Sequence, residues 1–302
     1  MHYHYKKTAE DYILDTIVFV MMIVVLICTI YPFWYALIIS FNNGMDASRG
    51  GVYLWPRVFT LENYQAVFSS DQMFTGFVVS VSRTIIGTIT ALAFTSMFAY
   101  ALAHSDLMFR KVYMVLILIS MYFSGGMIPY FLVIRHLGLM NNFLVYIIPN
   151  LLGIWNAIIM RSFFREIPQS LEEAAKIDGA NDFYIFAKII IPLSTPVLAT
   201  IALFIGVAHW NSWFDAAYYV TDRSLKTLAF WLVEIIKQAS IQAMTATSGV
   251  DTTREAMGAA RNFTADTIRM STMIIVVVPI ICIYPFLQRY FVKGIMVGSL
   301  KE

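Results

Sequence analysis

Long apolar stretches separated by short polar segments dominate the chain. Six stretches contain no Asp, Glu, Lys or Arg and are long enough to cross a membrane: 16–45, 84–105, 112–134, 136–160, 189–214 and 270–288. A spanning helix needs about 20 apolar residues, rising about 1.5 Å each, to cross about 30 Å of hydrocarbon. None of the stretches shows the period-2 alternation of a barrel strand, so the pattern predicts helices.

We therefore predict an all-α integral membrane fold, with residues 1–302 forming one domain. Gly125-Gly126 and Pro129 are expected to interrupt the third helix, and Pro149 the fourth, as kinks, hinges or ordinary bends. Shorter surface helices are expected at 61–68, capped by Thr60, and at 225–239. The six spans are predicted at about 13–41, 74–104, 111–135, 141–163, 194–218 and 268–288.

Composition agrees with a membrane protein and excludes several other classes. The chain is 59% hydrophobic and 13% charged, whereas soluble domains carry about 25% charged residues. The net charge of +2 is too small to indicate nucleic-acid binding. The sequence contains no metal-binding His/Cys cluster and no G-x-x-x-x-G-K-[ST] phosphate loop. We expect no metal site, no bound cofactor and no ATPase site in this chain.

The distribution of Lys and Arg predicts the orientation in the membrane. With the N-terminus inside, inner segments carry eleven of these residues, and the first two outer loops carry three, namely Arg49, Arg57 and Arg135. The long last outer loop, about 218–268, adds five, but charges in long loops count for less. We expect both termini in the cytoplasm.

The inner loop between the fourth and fifth spans contains helix signals of its own. Ser170 and Glu173 fit an S-x-x-E capping box, which predicts a helix from Leu171 to about Asp178. Gly179 is expected to end this helix in the left-handed conformation. Glu172 and Lys176 are expected to pair along it, and Asn181 to begin the next helix. From these signals alone, the first helix either docks on a partner protein or is a plain connector.

One motif in this loop is long and specific. Glu173-Ala174-Ala175, three residues, Gly179, nine residues and Ile189-Ile190-Ile191-Pro192 resemble the E-A-A-x3-G-x9-I-x-L-P loop of ABC-importer permeases, departing from it only at Ile191. The segments 59–68, 193–196 and 288–294 resemble carbohydrate-uptake permeases related to the second permease subunit of the maltose transporter. The resemblance is closer to oligosaccharide and polysaccharide permeases of the LplC/YtcP type, and it covers essentially the whole chain.

The resemblance implies a six-helix type I ABC importer transmembrane domain with a cytoplasmic coupling helix in the loop 166–193. This helix would lie in a cleft of a separate ATPase subunit. The residues it assigns to ATPase coupling are Leu171, Glu172, Glu173, Ala174, Ala175, Asp178, Gly179, Ala180, Asn181 and Pro192. The cytoplasmic tail 289–302 would make a further ATPase contact through Arg289, Lys293, Gly294 and Gly298.

The resemblance also implies a set of partners in the bacterial cell membrane. They are a second homologous permease subunit that completes a heterodimer, two ATP-binding subunits that hold ATP and Mg, and an extracellular lipid-anchored sugar-binding protein. The substrate would be an oligosaccharide or polysaccharide fragment that crosses by alternating access. Two alternatives stay open: an importer for amino acids, peptides or phosphate, or a stand-alone membrane channel or enzyme.

Polar residues inside the predicted spans are candidates for the translocation path. Arg83 lies well within the second span, where an unpaired Arg at the centre costs about 2.5–3.5 kcal/mol, and Asp215 is its expected partner. Trp210, Asn211 and Trp213 combine ring faces and an amide near Asp215, as a glycan site would. The alternatives are a purely structural ion pair or a snorkelling side chain for Arg83, and an aromatic belt at the outer membrane surface for the tryptophans.

Overall fold

A computed structural model of the protein describes the backbone of residues 8–247 and 264–299 and the side chains in these ranges other than those of residues 9, 239–247, 265, 284 and 286–299. In the described residues the chain forms helices joined by turns and loops, with one isolated bridge between Asn42 and Phe59. The α-helices up to the coupling loop are α1 (Ala9–Ser40), α2 (Gly44–Ser48), α3 (Glu62–Phe68), α4 (Asp71–Ala103), α5 (Arg110–Tyr122), α6 (Met127–His136) and α7 (Ile154–Phe164).

The coupling loop and the C-terminal half contain further helices of very different lengths. Two of the short helices given below, α9 and α10, are separated by a π-helical turn, Phe186–Ile190. The remaining α-helices are α8 (Gln169–Ile177), α9 (Asp182–Ile185), α10 (Ile191–Leu193), α11 (Thr195–Asn211), α12 (Phe214–Tyr218), α13 (Leu228–Thr247) and α14 (Ala265–Ser299).

The predicted spans correspond to four continuous apolar segments and two bent pairs. The continuous segments include α1, α4, Thr195–Tyr218 and Asp266–Ile283. The predicted interruption of the third span at Gly125-Gly126 is confirmed, since α5 and α6 meet there at 115°, whereas Pro129 lies inside α6. Gly126 permits this break, since its φ of +82° lies in the left-handed region that favours glycine.

The fourth predicted span is also broken, with Pro149 in the 3-10 turn Ile148–Asn150 just before the break. A 3-10 segment within Phe143–Asn150 meets α7 at 45°. Proline has no N–H to donate and favours such a bend. By length and composition, the described helices make six spans if each bent pair crosses the membrane once.

The chain forms two compact units, and the first comprises Met1–Ser69 and Ile235–Ile275 as far as they are described. Asn63 is fully buried here, and its Nδ2 donates to the carbonyl oxygens of Ser40 (2.9 Å) and Asn42 (2.8 Å). These bonds hold α3 against the end of α1. The short helix predicted at 61–68 is present from Glu62. Its predicted cap is wrong, because Leu61 holds the N-cap position without a side-chain cap, and Thr60 Oγ1 accepts a hydrogen bond from Glu62 N at 3.2 Å.

The second unit comprises Ser70–Glu234 and the described residues from Val276 onward. Its helices α4 and α11 approach closely at Gly87, where an added Cβ would lie 2.6 Å from His209 Nε2. The main core also includes α7 and the π-helical turn. Its buried members are Ala91, Ala99, Tyr100, Ala157, Met160, Phe164, Ile185, Phe186, Ile190, Val197, Ile201 and Ile205.

The predicted helix at 225–239 begins three residues late, at Leu228. Lys226 is 8% exposed, and its Nζ donates to the carbonyl oxygens of Ala216 (2.6 Å) and Val220 (2.5 Å). The same nitrogen lies 4.1 Å from the centroid of the Phe230 ring. Burial lowers the pKa of Lys226. This inward turn of Lys226 delays the helix and closes the loop after α12.

Candidate functional site

The coupling loop presents α8 as a short helix on the surface. No residue of α8 is buried, and Glu173 and Ala174 are exposed. The predicted capping box is wrong, because the helix begins at Gln169 and Ser170 already lies in its first turn. Pro168 precedes the helix with an extended conformation (φ −58°, ψ 125°), and its carbonyl accepts a hydrogen bond from Leu171 N at 3.2 Å.

The end of α8 follows the prediction. Gly179 has a φ of +84°, its N–H donates to the carbonyl of Lys176 (3.0 Å), and the N–H of Ala180 donates to that of Ala175 (2.9 Å). These two bonds define a Schellman stop. Asn181 then caps α9 as predicted, because its Oδ1 accepts a hydrogen bond from Tyr184 N at 2.8 Å.

The predicted pair between Glu172 and Lys176 is replaced by two other contacts. Lys176 Nζ lies 3.2 Å from Asp182 Oδ1, in the next helix. Hydrogen bonding to Asp182 and its charge raise the pKa of Lys176. Glu172 turns towards the C-terminal end of α4, where its Oε2 accepts a hydrogen bond from the Tyr100 hydroxyl at 3.5 Å. Tertiary partners thus displace the local one.

The residues predicted to couple to an ATPase divide into two groups by exposure. Three are half-buried, and two of these, Ala175 and Ala180, pack against the main core. The third is Glu172. The exposed members are Leu171, Glu173, Ala174, Asp178, Gly179, Asn181 and Pro192. The loop therefore has one face anchored in the helices and one face open to a partner.

A π-helical turn just before Pro192 was not predicted. It spans Phe186–Ile190, and its Phe186 and Ile190 are buried. Pro192 has no N–H to donate to the carbonyl four residues earlier, so the regular α-helical ladder is interrupted at this point. The proline was the available signal, but it did not specify the type of turn.

In the N-terminal half of α4, Arg83 forms a buried ion pair. Arg83 is 1% exposed, and its Nη2 donates to Asp215 Oδ2 at 2.5 Å. Its Nη1 donates to the carbonyl oxygen of Ser212 at 3.0 Å, and its guanidinium carbon lies 4.5 Å from the Tyr146 ring centroid. The predicted pairing of Arg83 with Asp215 is confirmed. The ring face adds a cation–π interaction.

Local chain geometry brings the acceptors to Arg83. Helix α11 ends before Ser212, whose extended conformation (φ −73°, ψ 118°) leaves its carbonyl free of the helix. The chain then forms α12 with Asp215 in the first turn. Ser212 Oγ also lies 3.4 Å from Asp215 Oδ2. One break in the fifth span therefore supplies both oxygen acceptors.

A cavity of about 520 Å³ adjoins Asp215. Its wall combines the carboxylate of Asp215 with the rings of Tyr130, Phe214 and Tyr219, and with the chain break at Gly125-Gly126. Ring faces and a carboxylate can stack on and hydrogen-bond to a polyhydroxylated molecule. Sequence analysis did not single out Tyr130, Tyr146 or Tyr219. The sequence signal that could have identified these residues is a tyrosine within an apolar span, because its hydroxyl is a polar group in an apolar segment.

The other predicted path residues do not line this cavity. Trp210 Nε1 donates to the carbonyl of Val276 at 2.8 Å, and its ring lines a separate apolar cavity of about 390 Å³. Asn211 is exposed, and Trp213 is half-buried with its ring 6.1 Å from that of Phe214. Of the five predicted path residues, Asp215 lines the cavity. Arg83 does not line the cavity but donates a hydrogen bond to Asp215.

The predicted tail contacts lie outside the described side chains. The backbone of α14 continues to Ser299, but nothing is described of the side chains at Arg289, Lys293, Gly294 and Gly298. Within the described residues, no group of three or more His, Cys, Asp and Glu side chains could hold a metal ion.

Comparisons with known proteins were made by sequence and by structure. No protein-family model matches the chain. It is 36% identical over 292 residues to the polygalacturonan/rhamnogalacturonan transport system permease protein YtcP of Bacillus subtilis, covering 97% of this chain and 99% of the relative. It is 38% identical over 275 residues to Protein LplC of the same organism, covering 90% of each.

A solved structure supports the same relationship. The chain is similar to a chain in the crystal structure of a bacterial ABC transporter involved in the import of the acidic polysaccharide alginate, with a TM-score of 0.85 and 30% sequence identity. The match covers 95% of this chain and 99% of that chain. With its apolar helices and these relatives, the protein is an integral membrane transport subunit and belongs to the sugar-permease family of ABC importers.

Proposed function

We propose that this protein is the permease subunit of an ATP-driven importer of oligosaccharides or polysaccharide fragments. One observation carries the proposal: α8 exposes Glu173 and Ala174 to solvent while Ala175 and Ala180 anchor the same loop in the main core. A short helix with one free face and one anchored face can transmit the movement of a bound partner to the membrane helices. The names of the relatives support a glycan as the substrate.

The energy for transport comes from partner subunits in this proposal. ATP and Mg bind in two separate ATPase subunits, and this chain binds no cofactor. Moving a two-state equilibrium from 1:99 to 99:1 requires about 5.5 kcal/mol. Nucleotide-driven closure of the ATPase pair around α8 would supply that free energy. The exposed Glu173 supports an ionic contact with a basic group of the ATPase.

The glycan path in this proposal passes the cavity beside Asp215. The sugar C–H faces would stack on the exposed rings of Tyr130 and Phe214, and Asp215 would accept hydrogen bonds from hydroxyl groups. Arg83 would hold the Asp215 carboxylate in place and limit the cost of burying its charge. Trp210, Asn211 and Trp213 have no part in this site.

The importer is completed by further chains. A second homologous permease subunit would form a heterodimer with this one, and an extracellular lipid-anchored sugar-binding protein would deliver the glycan. The excess of Lys and Arg on the inner segments supports a multi-pass arrangement in the bacterial cell membrane with both termini in the cytoplasm. The cytoplasmic tail 289–302 would also contact the ATPase.

Co-purification with the ATPase subunit tests the coupling role of α8. We expect the ATPase to remain bound to the wild-type permease in detergent, and Glu173→Ala to reduce both the bound ATPase and glycan uptake at least tenfold, as for a lost contact with a charged group. Glu10→Ala, which removes an exposed glutamate near the N-terminus, is the matched control. Normal retention and uptake with Glu173→Ala would contradict the proposal.

A further inference from the structure

We propose that Tyr100 and Glu172 form a latch that ties α8 to α4. The inference rests on the proposed function and assigns different roles to two neighbouring residues of α8. Glu173 faces the ATPase, whereas Glu172 faces the permease itself and passes the movement of α8 to the membrane helices. Tyr100 is in this sense a positioning residue for the coupling helix.

Glu172 is the only one of the two adjacent glutamates with a described partner in the helices of the membrane domain. Its Oε2 accepts a hydrogen bond from the Tyr100 hydroxyl at 3.5 Å and lies 3.7 Å from His104 Nδ1. The Glu172 side chain is 16% exposed, whereas Glu173 belongs to the exposed face. The two glutamates lie about 100° apart around the helix axis, so they point to different surroundings.

Tyr100 contacts both flanks of the coupling helix as well as Glu172. Its ring centroid lies 6.4 Å from that of Phe164, which ends α7 before the loop. It lies 5.2 Å from that of Phe186, at the π-helical turn after the loop. Tyr100 is 7% exposed and belongs to the main core. A single side chain therefore touches the segment before α8, α8 itself and the segment after it.

Helix α4 connects this latch with the Arg83 site. Tyr100 and Arg83 are seventeen residues apart in one unbroken helix, which corresponds to about 26 Å at 1.5 Å per residue. Helices move largely as rigid elements. A displacement of α8 that Tyr100 receives can thus alter the position of Arg83 and, through it, of Asp215.

The ratio of glycan imported to ATP hydrolysed by the complete reconstituted importer tests the latch. We expect Tyr100→Phe and Glu172→Ala each to lower this ratio about threefold to tenfold, the range of an ordinary hydrogen bond, because the contact of 3.5 Å is long. The double variant should be no worse than either single variant, because both remove the same contact. Glu172→Gln keeps an oxygen acceptor and should retain most of the ratio. Tyr113→Phe, at an exposed tyrosine of α5, is the hydroxyl control.

The amount of bound ATPase and the melting temperature of the importer separate this role from a structural one. Both are expected to stay unchanged in the latch variants. A wild-type ratio in Tyr100→Phe and Glu172→Ala, or additive losses in the double variant, would overturn the latch but leave the proposed function intact. If Tyr100→Phe lowers the yield of folded protein, the test of the latch is whether Glu172→Ala lowers the ratio of glycan imported to ATP hydrolysed more than Glu172→Gln does. Failure of the ATPase to co-purify with the wild-type permease would instead overturn the proposed function.

Discussion

Arg83 shows how a charged residue is accommodated inside an apolar helix. The carboxylate of Asp215 and the carbonyl of Ser212 accept its hydrogen bonds, and the Tyr146 ring covers its guanidinium group. Without such partners, the guanidinium group, which stays charged, would favour unfolding or exposure to water. The buried charge of each residue is therefore stabilised only while the other residue is present.

Removal of one member of this pair should be more damaging than removal of both. We expect Arg83→Met to lower the free energy of unfolding by about 3 kcal/mol, at the lower end of the range for a buried pair, because Asp215 is 16% exposed. The double variant Arg83→Met/Asp215→Leu should recover at least half of that loss. Thermal unfolding of the detergent-solubilised protein measures both, with the exposed Arg223→Met as control. Equal stability of Arg83→Met and wild type would show that the pair does not stabilise the fold.

At the scale of elements, the ends of α8 determine where its free face points. Gly179 adopts a φ of +84°, and an added Cβ would meet no atom within 4 Å. The restriction at this position is therefore one of backbone conformation and not of space. Left-handed backbone costs other residues about 1–2 kcal/mol, and Asn tolerates it best.

Two substitutions at Gly179 test this restriction. We expect Gly179→Val to displace the end of α8 and reduce cross-linking from a cysteine at Ala174 to the ATPase about tenfold, which corresponds to about 1.4 kcal/mol. Gly179→Asn should retain most of the cross-linking. Because both variants add a side chain in open space, a similar effect of the two would mean that the left-handed conformation is not what positions α8.

The same loop shows which helix ends are local and which are not. The Schellman stop at Gly179 and the cap at Asn181 use groups within six residues of each other, and the sequence predicts both. The start of α8 depends instead on how the chain leaves Pro168, so the predicted capping box at Ser170 is wrong. The partner of Glu172 is Tyr100, seventy-two residues away, which no local pattern indicates.

For the whole molecule, the proposed function places the source of energy in partner subunits. The sequence has no phosphate loop, and the proposed function requires a partner to drive the change between inward-open and outward-open states. A permease that is not coupled to an energy source only equilibrates its substrate across the membrane, whatever its affinity for the substrate in the two states. Accumulation is therefore a property of the assembled importer.

Reconstituted vesicles test this requirement. We expect vesicles that contain only this permease to accumulate no glycan above the external concentration. Vesicles with the second permease, the ATPase subunits and the binding protein should accumulate it when ATP is present inside. The complete importer without ATP serves as the control. Accumulation by this chain alone would mean that it is a transporter of another class.

The sequence by itself determines the class of the protein, the approximate positions of its spans and the exposed coupling helix. These features depend on hydrophobic length, charge distribution and residues close together in the chain, which are visible without a fold. Only the tertiary structure decides the angle of 115° at the predicted break after α5, the π-helical turn before Pro192 and the cavity that joins Asp215 to Tyr130 and Tyr219. Those features depend on packing and on contacts between residues that are distant in sequence, so local sequence patterns do not specify them.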